Sequence, residues 1–146
     1  MNRIELHYDI ARSPDEVFNF MTDFNQLRRW RTMDDLRLQP EGSARVGTRL
    51  FSKVKGAGRP MEFVNEIIEL DPTRRVFRDR CLEGTFLIQS QWNVVPYNGG
   101  SRLQWVTEFE PRGMMKLLTP VLGRVIKQGQ VTDLEKLKRL LETGTV

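Results

Sequence analysis

Three side chains in this sequence, His7, Cys81 and Asp79, stand out as candidates to move a proton or attack carbon, and their neighbours decide what each can do. His7 is the only histidine, so a general base of the commonest kind would have to be this residue. It lies in Arg3 to Ile10, where Ile4, Leu6, Tyr8 and Ile10 alternate with Arg3, Glu5, His7 and Asp9. Period-two alternation sends His7 to the solvent face, with no partner set for a triad. Cys81 is the only cysteine. It sits mid-strand without a second thiol or a histidine near it in sequence, the setting of a small packed side chain rather than a nucleophile. Asp79 stands between Arg78 and Arg80, where either alternation turns a charge inward. On the face of Phe77 and Cys81 it could act as a proton acceptor; a surface position on an edge strand is the preferred expectation. Asp79 is thus the one catalytic candidate, and the catalytic set is otherwise unassigned. No Walker loop, dinucleotide fingerprint or metal-ligand spacing occurs, so neither cofactor nor metal is expected.

The elements that must position these residues begin with the half-buried strand Arg3 to Ile10. Ser13-Pro14-Asp15-Glu16 then starts a short helix, with Ser13 as cap, Pro14 suited to the first helical position and Glu16 placed for a capping box. Its apolar face carries Val17, Phe20, Met21 and Phe24. A second short helix begins at Asp23 or Asn25, carries Leu27 and ends near Trp30, and Thr32 to Pro40 is irregular or a weak strand. A meander of antiparallel strands follows. Val46 to Lys55 pairs with Met61 to Leu70 across Gly56-Ala57-Gly58-Arg59-Pro60, Asp71-Pro72 turns, Arg74 to Glu83 pairs with Thr85 to Val95 around Gly84, and the last hairpin turns at Asn98-Gly99. Phe86, Ile88, Ser90, Trp92 and Val94 share one face, as do Leu103, Trp105, Thr107 and Phe109 on the final strand.

Arg112 to Glu142 reads as the long helix around which the chain is organised. Met114, Leu118, Val121, Leu122 and Val125 form one stripe, widened by Met115, Leu117 and Ile126. Leu134, Leu137 and Leu141 form a second, about a third of a turn away at 100° per residue, so the two halves face different things. The phase changes at Gln128-Gly129-Gln130. At Thr119-Pro120 the helix either kinks or starts afresh with Thr119 as cap.

A length of 146 residues fits one domain, 1–146, able to bury a core without a staple. With 39% hydrophobic and 29% charged residues the composition is that of a soluble globular protein. The polar start Met1-Asn2-Arg3-Ile4-Glu5 holds no run long enough for a signal peptide or membrane span, and a cytoplasmic location is the expectation. One cysteine allows no internal disulfide. The net charge of +4 resides in Arg112 to Glu142, which has seven basic and three acidic residues. With Arg28-Arg29-Trp30-Arg31 it permits a nucleic-acid or anionic-membrane surface. Lys136, Lys138 and Arg139 are interleaved with Asp133, Glu135 and Glu142, however, as on a solvated helix, and nucleic acid is not an expected partner.

Strand, two short helices, about six strands and a long helix is an α+β order, in which only a curved antiparallel sheet gripping the last helix covers all the apolar faces. Val17-Phe18 after the first strand, Leu27 with Trp30, Gly100-Ser101-Arg102-Leu103, Glu110-Pro111-Arg112-Gly113 and Leu134-Glu135-Lys136-Leu137-Lys138 together resemble the START-like (SRPBCC) superfamily. Within it, the polyketide cyclase/dehydrase and lipid-transport group is the most similar. The resemblance covers nearly the whole chain and rests on the order and spacing of these segments. It implies the helix-grip fold of the birch-pollen allergens: six or seven strands wrapped around a long C-terminal helix, two short helices after the first strand, and an apolar cavity between sheet and helix.

That cavity would bind or carry a hydrophobic small molecule, whether lipid, polyketide or isoprenoid-like. Its expected walls are Met21, Trp30, Leu50, Trp92, Trp105, Met115, Leu118 and Leu122, with Ser90 and Thr107 supplying hydroxyls to orient the ligand. Core packing is the competing role for each of them. A non-catalytic carrier, monomeric or homodimeric, is the favoured function. A cyclase/dehydrase-like enzyme is the alternative, and an interaction module acting through the basic terminal helix is the second alternative. An ionisable group pointing into the cavity is what separates the first two.

Overall fold

The computed structural model describes residues 1–55 and 59–144. The turn expected at Gly56-Ala57-Gly58 lies outside the described residues. Its strands are β1 (Asn2–Ile10), β2 (Asp35–Gln39), β3 (Arg49–Val54), β4 (Met61–Asp71), β5 (Val76–Gly84), β6 (Leu87–Tyr97) and β7 (Gly100–Glu110). They form one sheet in the order β1-β7-β6-β5-β4-β3-β2, antiparallel at every pairing. Helix α1 (Pro14–Met21) and a 3-10 helix (Phe24–Arg29) follow β1, and a second 3-10 helix (Gly113–Leu118) leads into the terminal helix α2 (Thr119–Thr143). This is the helix-grip architecture expected from the order of elements.

Local chemistry accounts for most of the boundaries. Ser13 Oγ accepts the backbone N–H of Glu16 at 3.2 Å and caps α1, and the Glu16 carboxylate turns back to accept the Ser13 hydroxyl at 3.1 Å rather than the Ser13 backbone N–H of a full capping box. Asn98 and Gly99 have φ of 49° and 77°, the left-handed pair that lets a two-residue hairpin follow the twist of its strands. In α1 the buried residues are Val17, Phe18 and Met21, while Phe20 is half-buried under the Arg29 guanidinium. Phe18, not Phe20, therefore completes the core face.

Helix α2 starts afresh rather than kinking. Pro120 occupies its first turn, where the missing N–H has no intrahelical partner to lose. Thr119 is the first helical residue and not the cap; its hydroxyl donates to the Lys116 carbonyl at 2.7 Å. The helix runs unbroken past Gly129 to a left-handed Gly144. Leu134, Leu137 and Leu140 are buried in the core and fix which side of α2 meets the sheet; Leu140 takes the buried place expected of Leu141, which packs only partly buried beside it. The first stripe, a third of a turn away, is then split. Met115, Leu122 and Ile126 pack partly buried against the core, whereas Met114, Leu118, Val121 and Val125 face solvent. Leu118, expected as a cavity wall, is 58% exposed and lies outside any such wall.

Candidate functional site: a cavity at the parting of two central strands

The ladder between β5 and β6 is short. Val76, Phe77 and Arg78 pair with Asn93, Trp92 and Gln91, and the strands then part. Side chains take over the lost backbone bonds. The Asp79 carboxylate accepts the Ser90 N–H at 2.8 Å through Oδ1, the Gln89 side-chain carbonyl lies 3.4 Å from the Cys81 N–H, and the Asn65 amide donates to the Ile88 carbonyl at 2.9 Å. Register shifts in β4–β5 at Val64/Asn65 and Ile67/Glu69 bend the neighbouring ladder. Strands held apart by side chains leave space on the concave face.

Aromatic rings fill most of the volume beside it. Phe77 and Trp92 have centroids 4.5 Å apart, Trp30 and Trp92 5.7 Å, Trp92 and Trp105 6.0 Å edge-to-face, and Phe24 stacks on Trp92 at 6.0 Å. What remains is a cavity of about 120 Å³. Leu27, Leu50, Phe63, Ile88 and Trp92 supply much of its apolar lining, and Arg31, Ser52, Asn65, Asp79, Ser90 and Gln130 bring polar groups to it.

Asp79 is not on an edge strand, since β5 lies between β4 and β6, and it does not face the surface. It shares the inner face with Phe77, while Arg78 and Arg80 point outward to Glu69 and Glu66. What little surface the carboxylate keeps opens to the cavity. Burial pushes its pKa up to about 6, against the opposing pull of the Ser90 N–H, the Asn65 amide and the Arg31 charge. Oδ1 receives both Ser90 and Asn65, the latter at 3.4 Å. Among the described residues Oδ2 has no partner.

The other charge at the cavity is already committed. Arg31 Nε lies 3.1 Å from Asp133 Oδ2, and its guanidinium stands 4.7 Å from the Trp105 ring centre. Asp133 in turn accepts the backbone N–H and the hydroxyl of Thr32 at 3.1 and 2.8 Å. The pair fastens the chain after the first 3-10 helix to α2. Gln130, the residue of α2 that reaches the cavity, donates through Nε2 to Thr107 Oγ1 at 2.7 Å, and its buried Oε1 has no partner.

The expected site residues therefore divide. Leu50, Ser90 and Trp92 line the cavity. Met21, Trp30 and Trp105 are fully buried around it as packing, with Trp105 Nε1 donating to Ser90 Oγ at 3.3 Å. Thr107 is fully buried and occupied by Gln130. Met115 and Leu122 pack along the core without reaching the cavity lining. Asn65, Gln130 and Arg31 were not anticipated. Asn65 was legible, because alternation along β4 places it between Phe63 and Ile67, an amide flanked by apolar residues on one face. His7 is exposed, its Nε2 3.5 Å from a Glu5 carboxylate oxygen. Among the described residues no cluster of His, Cys, Asp and Glu could hold a metal, and no helix is long and apolar enough to cross a membrane.

Known proteins frame this geometry. The model of the family described as polyketide cyclase / dehydrase and lipid transport matches residues 1–142. No curated protein matches the sequence. Among solved structures, TTHA0849 from Thermus thermophilus is similar with a TM-score of 0.85 and 17% identity, covering 99% of this chain and 100% of that one. The Zhui aromatase/cyclase from Streptomyces sp. R1128 follows at 0.81 and 16%, covering 98% and 97%. A START superfamily protein from Mycobacterium smegmatis gives 0.80 and 15%, covering 98% and 99%. At such identities the likeness establishes the fold and is silent on what is bound.

Proposed function

Since the chain belongs to the polyketide cyclase/dehydrase and lipid transport family, we propose that it binds a hydrophobic small molecule in the cavity between sheet and helix, and that Asp79 receives a hydrogen bond from that molecule. The observation that carries this reading is the unpartnered Oδ2 in a largely apolar cavity. Bridging the parted strands needs only one oxygen, which an asparagine would supply without a charge to desolvate. The second oxygen of a carboxylate there gains a bond only when a donor enters.

Size restricts the donor. Ligand pockets commonly run to about 300–1,000 Å³, whereas an apolar cavity of roughly 150 Å³ takes a benzene-sized guest. At about 120 Å³ the space suits a single small ring or a short branched chain bearing a hydroxyl. A long acyl chain or a fused polyketide would seat one end there and displace wall residues to place the rest.

The enzymatic reading gains from the placement of Asp79, a carboxyl group that lines the cavity and whose pKa burial pushes up to about 6. Such a group is a competent base and a competent acid at the same pH. In a dehydration, Asp79 would take a proton from carbon as the carbon–carbon double bond forms and return it to the departing hydroxyl. The balance is loss of one water, and no redox partner enters. A solved structure of the same fold is that of an aromatase/cyclase, which keeps this reading beside the carrier. The basic half of α2 offers less, because Lys138 is engaged by Glu142 and the Asp9 carbonyl.

Native mass spectrometry of protein purified from its own host tests the binding reading. A retained small molecule should be recovered from wild type and depleted in Asp79→Asn and in Ser52→Phe, which fills the cavity. Equal retention in both variants would remove the cavity from the reading. Incubation of the recovered molecule with fresh protein then separates carrier from enzyme, since only the enzyme yields a product lighter by one water.

A further inference from the structure

Five of the nine exposed large hydrophobic side chains among the described residues fall in one stretch: Met114, Leu117, Leu118, Val121 and Val125. Met114 and Leu117 are 84% and 81% exposed. They run from the second 3-10 helix along the outer side of the first half of α2, opposite neither the sheet nor the cavity. A contiguous apolar stripe of this kind is uncommon on the free surface of a monomer. The charges carried by the stretch itself have a single sign. Between Pro111 and Thr132 the charged residues are Arg112, Lys116, Arg124 and Lys127, all exposed, and no acid occurs until the buried Asp133. Lys116, Arg124 and Lys127 make no ion pair among the described residues.

The charge decides between occupants. A second copy meeting this face across a two-fold axis would bring four cations against four, with no carboxylate in the stretch to pair them. A protein partner is disfavoured by the absence of tryptophan and tyrosine, the usual anchors of such interfaces. Methionine, leucine and valine need no shaped pocket, only an apolar medium, and unpaired lysine and arginine at its margin need phosphate. From this surface we infer that the segment Gly113 to Val125 is a docking face for an anionic lipid bilayer, its apolar stripe entering the headgroup boundary and its cations meeting the phosphates. The inference stands on the surface alone and is independent of what occupies the cavity.

Sedimentation of the full chain with vesicles tests it. Vesicles of phosphatidylglycerol in phosphatidylcholine should retain the protein, vesicles of phosphatidylcholine alone should not, and added salt should weaken retention. Lys116→Gln and Lys127→Gln should each lower the partition coefficient about fivefold. Leu117→Ser should lower it at least as much, because it removes a whole apolar side chain from the boundary. All three sites are exposed, and circular dichroism checks that each variant folds; the charge variants keep the test alive if the leucine variant does not. Retention that ignores phosphatidylglycerol, or that survives all three substitutions, would overturn the assignment. So would a wild-type dimer in light scattering that Leu117→Ser converts to monomer, which would give the face to a second copy.

Discussion

Replacing Asp79 by asparagine should flatten the pH dependence of stability in a defined window. In the unfolded chain an aspartate titrates near its ordinary value of 3.8, and in the folded protein near 6. The folded state therefore holds the proton more tightly, and stability must fall wherever the unfolded chain has already released a proton that the folded one retains. The sign follows. The contribution is fully present below about pH 4, declines as pH rises through 6, and is absent above about pH 7. A rise of this size corresponds to about 3 kcal/mol at most, and water entering the cavity would reduce it. Asp79→Asn keeps the oxygen that accepts the Ser90 N–H while removing the charge. It should match wild type near pH 4 and exceed it by up to about 3 kcal/mol at pH 8, or roughly 6–12 °C in Tm for a chain of this length.

Urea titrations of both proteins from pH 4 to 8, taken as differences, isolate the effect. Glu5, Asp9 and Glu142 have pKa values lowered by hydrogen bonds to Gln104, Arg102 and Lys138 respectively. Their contribution is lost as pH falls through the acidic range, the opposite slope, and it cancels in the difference. A pH-independent difference between the two proteins, or a variant less stable at pH 8 than at pH 4 relative to wild type, would refute the buried-carboxyl argument.

Three further outcomes are expected. Leu118→Gln should shift stability by no more than about 0.5 kcal/mol, as for other exposed sites, whereas Leu137→Ala, in the packed stripe, should lose about 2–5 kcal/mol; chemical denaturation distinguishes them. Thr107→Val should cost about 1–3 kcal/mol by stranding the Gln130 amide, and adding Gln130→Leu should recover part of that loss in a double-mutant cycle. His7→Gln should leave ligand retention and any turnover unaltered in the assays above, since His7 is exposed and does not line the cavity.

The fold was legible because each of its signals is local. Period-two alternation in β1, Ser13 with Glu16 at the start of α1, Asn98-Gly99 at the last hairpin and Pro120 at the head of α2 act over a few residues, and each holds in the structure. The cavity was only partly legible, because it depends on relations between elements. Alternation put Ser90, Trp92, Trp105 and Thr107 on inner faces, but not the order in which they would fill the space. Trp30 arrives from outside the sheet and, with Phe24, Phe77, Trp92 and Trp105, occupies volume that three tryptophans considered singly would have left for a ligand.

The same limit governs Asp79 and α2. Asp79 is flanked by Arg78 and Arg80, and a charged triplet resembles a solvated strand until the strand's place in the sheet is known. With β5 central, two arginines reach Glu69 and Glu66 on the outer face and the aspartate has nowhere to go but in. Its charge is tolerated because β6 has moved away and left the Ser90 N–H without a ladder partner, so the carboxylate and the parted strands stabilise each other. On α2 the two stripes and the angle between them were readable, but not which stripe the sheet would take. Leu134, Leu137 and Leu140 present a purely apolar row beside Asp133 and Gln130, which have partners in the half-buried Arg31 and the buried Thr107. The first stripe has no such polar anchors within the core. Packing that selects the anchored stripe keeps only the near edge of the other, Met115, Leu122 and Ile126, against the core and turns its far edge, Met114, Leu117, Leu118, Val121 and Val125, to water.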